Sequence, residues 1–178
     1  GYDYVNDKRG NTLESKPIGK DGKRASGWLI SKSKYDQYDN CIEWALFDDN
    51  GPATNKVGIH RYQYAFNTRN QQIEERHYGK DGKLAIIDDE TRCAIQRDEY
   101  DDKGNRVKIA FFGIDEKPCL CKEGWSSSTQ EYNVFGKVIK QCYYGLDGKP
   151  TNSKMMAPVS IYEYDKWGNM VYIAAQDG

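Results

Sequence analysis

Two histidines are the residues of this chain best suited to acid–base chemistry near neutral pH. His60 and His77 lie in the segments Ile59-His60-Arg61 and Arg76-His77-Tyr78, which both have the residue pattern of β-strands. A catalytic nucleophile would need one of these rings within hydrogen-bond reach, in a site that departs from the surrounding pattern. Neither segment shows such a departure. The sequence therefore predicts that the chain is not an enzyme.

The cysteines and acidic residues lack the spacing of a metal site. Cys119-Leu120-Cys121 has no second cysteine or histidine pair at ligand spacing, and we interpret it as two half-buried strand cysteines on one face. The acidic runs Asp48-Asp49, Asp88-Asp89-Glu90 and Asp101-Asp102 lack the alternating pattern of a calcium loop. We predict solvated turn carboxylates there, and neither a metal nor a cofactor. The cysteines number five and follow no regular spacing, which disfavours a disulfide framework.

The four tryptophans are the remaining candidates for ligand binding. Exposed tryptophans on a sheet can stack on sugar rings or on a protein partner. The alternative is that they cover a thin core, and we favour this interpretation because the chain contains little leucine. The candidate ligand-binding residues are nevertheless Trp28, Trp44, Trp125 and Trp167.

A repeated phrase dictates how these residues are positioned. The phrase Tyr-Asp-x-x-Gly-Asn is intact at 100–105 and 164–169, and four degraded copies put the glycine slot at 10, 39, 70, 104, 136 and 168. Twelve residues after the slot, a second turn recurs at Gly22, Gly51, Gly82, Glu116 and Gly148. Two turns at a constant offset indicate a repeat array with a period of about 32 residues.

Each phrase predicts a hairpin turn. The aspartate can accept hydrogen bonds from the backbone two residues on, and the glycine takes the left-handed conformation of a type I turn with a bulge. Asp39 and Asn70, which replace the glycine in two copies, are types that tolerate this conformation. Glutamate tolerates this conformation poorly, and we therefore expect the turn at Glu116 to differ locally. Alternating residues between the turns predict strands, three segments per repeat, while 86–92 and 151–158 predict variable loops that would carry any specific function.

Composition narrows the class of protein. Net charge is −1 without long blocks of like charge, which disfavours nucleic-acid binding, and no apolar run is long enough to span a membrane. The 14 tyrosines and 4 tryptophans supply amphipathic surface for a thin core.

The repeated phrase resembles the YD-type, RHS-like hairpin repeats of bacterial secreted and surface proteins, and WG and MORN repeats are looser relatives in style. Residues 100–118 and 132–150 carry the resemblance best. It implies a secreted, periplasmic or cell-surface bacterial protein. Ala25-Ser26-Gly27-Trp28-Leu29 and Glu123-Gly124-Trp125 also resemble the Gly-Trp phrases of choline-binding cell-wall repeats. In those repeats, aromatic residues cage a quaternary ammonium group.

The sequence thus predicts an all-β, elongated array of about 5.5 antiparallel hairpin repeats, either a meander or a solenoid-like twisted sheet. One array covers 1–178, with approximate units 1–30, 31–60, 61–94, 95–126, 127–158 and 159–178. We expect a non-enzymatic extracytoplasmic module that acts as a binding or spacer surface, with a protein or a cell-wall glycan as partner. The alternative is a carbohydrate- or choline-type cell-wall-binding module attached to a larger protein.

Overall fold

The computed structural model describes residues 1–23, 27–154 and 156–176, so Ala25 and Ser26 of the first Gly-Trp phrase lie outside the described residues. The chain divides into two compact units, an N-terminal unit of Gly1–Asp88 and a C-terminal unit of Asp89–Gly178. Among the described residues there is no helix that is long and apolar enough to cross a membrane.

The regular secondary structure of the described residues consists of thirteen β-strands. They are β1 (Tyr2–Asn6), β2 (Thr12–Pro17), β3 (Ile30–Tyr35), β4 (Cys41–Asp48), β5 (Gly51–Pro52), β6 (Arg61–Phe66), β7 (Gln72–Tyr78), β8 (Ile95–Tyr100), β9 (Arg106–Phe112), β10 (Ser127–Tyr132), β11 (Val138–Tyr144), β12 (Val159–Tyr164) and β13 (Met170–Gln176).

Both units are antiparallel meanders. In the N-terminal unit the strand order is β1-β2-β3-β4-β6-β7, and the short β5 pairs with the end of β4. In the C-terminal unit the order follows the sequence from β8 to β13. The sheet is not closed, because β1 pairs with β2 alone and β13 with β12 alone among the described strands. The predicted all-β array of hairpins is therefore confirmed.

The first turn of each repeat has the predicted geometry. In the intact copy, the Asp101 N–H donates to the Asn105 carbonyl at 3.0 Å and the Gly104 N–H to the Asp101 carbonyl at 3.1 Å. The Asp101 carboxylate accepts from the Lys103 and Asn105 N–H groups, both at 2.9 Å. Asp39 and Asn70 take the left-handed conformation, with φ of 68° and 60°. A register shift precedes each described turn, at 5/6, 34/35, 65/66, 99/100, 131/132 and 163/164.

The second turn is the same in the copy that lacks glycine, so the expectation for Glu116 was wrong. The Gly113 N–H donates to the Lys117 carbonyl at 2.9 Å, and the Glu116 N–H donates to the Gly113 carbonyl at 3.1 Å. Glu116 itself has φ of 58°. The ring of backbone hydrogen bonds imposes the left-handed conformation on a residue type that rarely adopts it.

The third predicted strand of each repeat is mostly absent from the described residues. Only β5 and the isolated bridges Tyr78–Leu84, Phe112–Pro118 and Tyr144–Pro150 remain of it. The reason is a further turn close behind, at which Gly58, Arg92 and Gly124 have positive φ. The chain must reverse again before a third strand can extend.

The core is shared between the strands and the connecting segments. Ile59 and Cys93, in connecting segments, and Ile95, the first residue of β8, are fully buried, and Ile87 and Cys121 are nearly so. By contrast, the position three residues after the glycine slot is apolar in every copy but is exposed in the first and last copies. The exposed fraction is 37 % at Leu13 and 61 % at Val171. Of the segments predicted to be variable loops, 86–92 contributes Ile87 to this core.

The tyrosine of the repeated phrase connects neighbouring hairpins. The Tyr35 hydroxyl donates to the Thr12 carbonyl at 3.2 Å, and the Tyr164 hydroxyl donates to the Val138 carbonyl at 2.8 Å. The Tyr132 hydroxyl likewise donates to the Arg106 carbonyl at 2.9 Å. In each case the acceptor belongs to the preceding hairpin, so the tyrosine fastens one repeat to the next.

Candidate functional site: the tryptophan pockets

Both histidines are buried and hydrogen-bonded inside the N-terminal unit. His60 Nδ1 lies 3.1 Å from the Ala53 carbonyl, and its ring meets Phe47 edge-on. His77 Nε2 lies 3.0 Å from Glu75 Oε1, and its side chain is only 3 % exposed. Both histidines therefore have a structural role in the packing of the strands and the connecting segments.

The five cysteines are free thiols. The prediction of two strand cysteines at 119 and 121 was wrong, because both lie in the segment between β9 and β10, outside the strands. Cys121 is buried, whereas Cys119 is half-buried with its Sγ 3.8 Å from the Arg92 carbonyl. Burial, with Cys93 and Cys121 nearby, raises the pKa of the Cys119 thiol to about 11, which disfavours a reactive thiolate.

The acidic runs lie at turns, where they accept hydrogen bonds from backbone N–H groups. Asp48 accepts from Asn50 and Asp89 from Thr91, both at 2.8 Å. No group of three or more His, Cys, Asp or Glu in the described part of the chain is arranged to hold a metal ion.

The structure places the four tryptophans at four separate locations. Trp28 is 58 % exposed and borders a cavity with Tyr2 and Ile18 at the start of the chain. Trp167 is 75 % exposed in a hairpin turn, where the Lys166 ammonium lies 4.4 Å from its ring centroid. Trp44 and Trp125 are half-buried, each in a pocket of its own unit. Within neither unit do its two tryptophans share a pocket.

Trp44 lies in the largest of these pockets, a cavity of about 650 Å³ in the N-terminal unit. Strand register explains its composition: Trp44 on β4 is opposite Tyr62 on β6, and Tyr62 is opposite His77 on β7. Because side chains alternate along a strand, Tyr64 lies on the same face as Tyr62. The lining residues are Cys41, Trp44, Asn55, Tyr62, Tyr64, Phe66, Gln72 and Glu75.

The aromatic rings form the walls of this pocket. The Trp44 and Tyr62 centroids are 5.6 Å apart and their planes are tilted by 55°. The Tyr62 and Tyr64 rings lie side by side, 6.3 Å apart and within 9° of parallel. Tyr62 is mostly buried against the edge of His77, whereas Trp44 and Tyr64 keep part of their surface toward the opening.

The polar side chains around the pocket are largely engaged with each other. Asn55 Nδ2 donates to the Tyr62 hydroxyl at 2.7 Å, while Asn55 Oδ1 accepts from the Val57 and Ile59 N–H groups. Gln72 Nε2 donates to Glu75 Oε2 at 3.1 Å. The pocket therefore presents mainly ring surface and one carboxylate to a ligand.

The pocket lining contains an acidic side chain and no basic one. Glu75 is the one ionisable carboxylate in the lining, and no lysine or arginine belongs to it. Burial, followed by the Glu75 charge, raises the pKa of the Tyr64 phenol, so that this group stays protonated. Arg61 and Arg76 alternate onto the opposite face, where Glu43 and Glu74 pair with them at 3.1 and 2.6 Å.

The Trp125 pocket has the opposite charge. It measures about 190 Å³ in the C-terminal unit, and its lining contains Arg106 and Lys108 but no carboxylate. The Trp125 ring packs between Phe111 and Tyr143, with centroids 5.0 and 5.3 Å away. Here the tryptophan serves mainly as packing, as the sequence interpretation favoured.

Sequence reasoning missed Tyr62, Tyr64, Phe66 and Glu75 as pocket residues. A signal was present, because Tyr62-x-Tyr64 alternates at the strand that follows Trp44 by one hairpin. The sequence does not give the register in which β4 pairs with β6, so it does not place Trp44 beside these rings.

No protein-family model and no curated protein sequence matches this chain. Solved structures do match it over nearly its whole length. A Tc holotoxin pore of Photorhabdus luminescens is 12 % identical over 97 % of this chain, with a TM-score of 0.41. The crystal structure of TcdB2-TccC3-TEV is 15 % identical over 96 % of this chain, with a TM-score of 0.43. This chain spans about a tenth of the length of either. At this identity and TM-score, the similarity carries no argument about function.

Proposed function

We propose that this chain is a non-enzymatic binding module whose ligand occupies the Trp44 pocket. The observation that carries the proposal is the pocket itself: a shallow, open site of about 650 Å³ in which Trp44, Tyr64 and Phe66 offer ring surface. Its volume falls within the range of small-ligand sites, roughly 300–1,000 Å³, which are typically aromatic with a few polar groups.

The environments of both histidines support a non-catalytic role. His60 is bonded to a backbone carbonyl, and His77 is held between Glu75 and the Tyr62 ring. The resemblance of the repeats to YD-type modules supports an extracytoplasmic bacterial location, with a protein or cell-wall component as partner.

The test is binding of the whole chain to purified bacterial cell walls and to a glycan array. Trp44→Ala should abolish binding, because it removes the widest ring of the pocket. Trp167→Ala should leave binding unchanged, because that ring is 75 % exposed in a hairpin turn and does not line the pocket. Binding that is absent, or equally insensitive to both substitutions, would contradict the proposal and favour a spacer.

A further inference from the structure

Trp44, Tyr64 and Phe66 differ from two other aromatic rings of the N-terminal unit, which pair with a lysine or an arginine. Lys32 Nζ lies 5.1 Å from the Phe47 centroid, and the Arg61 guanidinium lies 3.8 Å from that of Tyr78. Among the described cation–ring contacts, none involves Trp44, Tyr64 or Phe66. Cations of the chain thus pair with Phe47 and Tyr78 outside the pocket, while Trp44, Tyr64 and Phe66 stay available to a ligand cation.

A carboxylate lies on the same face as these rings. Glu75 on β7 lines the pocket directly, and its side chain is 23 % exposed. Gln72 and His77 fix its two oxygens at 3.1 and 3.0 Å, so its position is set before a ligand arrives. Ring faces and a fixed carboxylate together form a negative, mostly apolar environment.

This combination favours an alkylated cation over a sugar. A sugar needs several free hydrogen-bonding groups beside the stacking ring, but Asn55 and Gln72 already bond to Tyr62 and Glu75. A quaternary ammonium group donates no hydrogen bond and is attracted to ring faces by about 0.5–2 kcal/mol. A primary ammonium group would lose water hydrogen bonds that the pocket does not replace.

We propose that the Trp44 pocket binds a quaternary ammonium group, held by the faces of Trp44, Tyr64 and Phe66 and by the charge of Glu75. This inference rests on the proposed function, because it names the ligand class of the same site. The group can belong to choline, phosphocholine or a trimethylated lysine. Glu75 repels a nearby phosphate, so choline should bind more tightly than phosphocholine.

Calorimetric titration of the whole chain tests the inference. The probes are choline, phosphocholine, a trimethyl-lysine peptide, ethanolamine and 3,3-dimethylbutanol, the last being the uncharged analogue of choline. Choline should bind, while ethanolamine and the uncharged analogue should bind about tenfold more weakly or not at all. Tighter binding of the trimethyl-lysine peptide than of choline would identify a protein partner as the source of the group.

Two pairs of variants locate the effect. Glu75→Gln keeps the side-chain shape and should weaken choline binding about tenfold, whereas Glu74→Gln, on the opposite face, should not. Trp44→Phe keeps a ring in place and should weaken binding less than Trp44→Ala, which should abolish it. Circular dichroism of each variant shows whether its fold is retained.

The outcomes separate the two proposals. Equal binding of choline and 3,3-dimethylbutanol would overturn the cation inference, as would a Glu75→Gln variant of unchanged affinity. A cell-wall ligand or glycan that binds in a Trp44-dependent manner, with no choline binding, would overturn the inference but retain the binding module. Failure of every probe and of the cell-wall assay would overturn both.

Discussion

At the scale of single residues, hydrogen-bonded aspartates define the repeated turns more than glycines do. The Asp101 carboxylate accepts from two backbone N–H groups and from Asn105 Nδ2, and Asp165 repeats the arrangement with Asn169. The Asn side chain, followed by these backbone donors, holds the pKa of both carboxyls below the ordinary value of 3.8.

This lowered pKa predicts an acid-sensitive fold. A carboxyl whose folded pKa is depressed contributes stability above its unfolded pKa, near 3.8, and loses that contribution as the pH falls through the folded value. Urea midpoints should therefore be flat above about pH 5 and fall below about pH 4. In the variant Asp101→Asn with Asp165→Asn, the fall should be shallower. Equal acid sensitivity in variant and parent would contradict this account of the turns.

Glu116 stores backbone strain, and its removal should stabilise the chain. Glycine has no Cβ penalty at φ of 58°, so Glu116→Gly should raise the free energy of unfolding by about 1 kcal/mol. The ion pair lost with Arg97, at 3.9 Å between exposed groups, should cost little. Thermal and urea unfolding measure the change. Lys117→Gly, at the next position without positive φ, is the matched control and should destabilise.

At the scale of elements, the phrase tyrosine joins hairpins through its hydroxyl. Tyr164→Phe removes the donor to the Val138 carbonyl at 2.8 Å and should cost about 1 kcal/mol. Tyr172→Phe on the exposed β13 should cost less, since that ring is 52 % exposed. Hydrogen exchange of β11 and β12 should also rise in the first variant alone. Equal losses in the two variants would argue against the inter-hairpin role.

The location of the core gives a second prediction about elements. Ile59, in a connecting segment, is fully buried, whereas Ile42, at the apolar repeat position of β4, is half-buried. Ile59→Ala should cost about 2–5 kcal/mol, because it leaves a cavity in close-packed surroundings. Ile42→Ala should cost clearly less. Chemical unfolding of both variants tests whether this connecting-segment residue contributes more to stability than the apolar repeat position of a strand, and the reverse order would contradict the expectation.

At the scale of the whole molecule, strands at the open edges should be the least protected. Every residue of β1 is exposed, and Val171, Tyr172 and Ile173 on β13 are more than half exposed. Local opening costs least where little apolar surface is buried. Hydrogen exchange should therefore be fastest in β1 within the N-terminal unit and in β13 within the C-terminal unit. Uniform protection across either unit would contradict this expectation.

Much of the fold was predictable because it is encoded locally. Left-handed residues at 39, 70 and 104, aspartates that cap the turns, and period-two alternation each act within a few residues. The hairpins and their bulges follow from these signals. The predicted third strand was mostly wrong, because a further turn follows at Gly58, Arg92 and Gly124, and glycine does not occupy this turn in every copy.

The candidate site was only partly predictable. Trp44 was predicted as a candidate only because it is a tryptophan, as were three other tryptophans that do not line this pocket. Tyr64, Phe66 and Glu75 join it only through the pairing of β4 with β6 and of β6 with β7. Such pairing depends on the offset between strands, which turn chemistry alone does not specify.

The sequence by itself determined the repeat, its turns and the all-β class, because these follow from backbone preferences of neighbouring residues. Only the tertiary structure decided where the core lies and which rings share a pocket. Ile59 and Cys93 are buried because connecting segments pack against the sheet, and Trp44 meets Tyr62 because separate hairpins pair in one register. Contacts between residues far apart in the chain settle both features, and no local pattern records them.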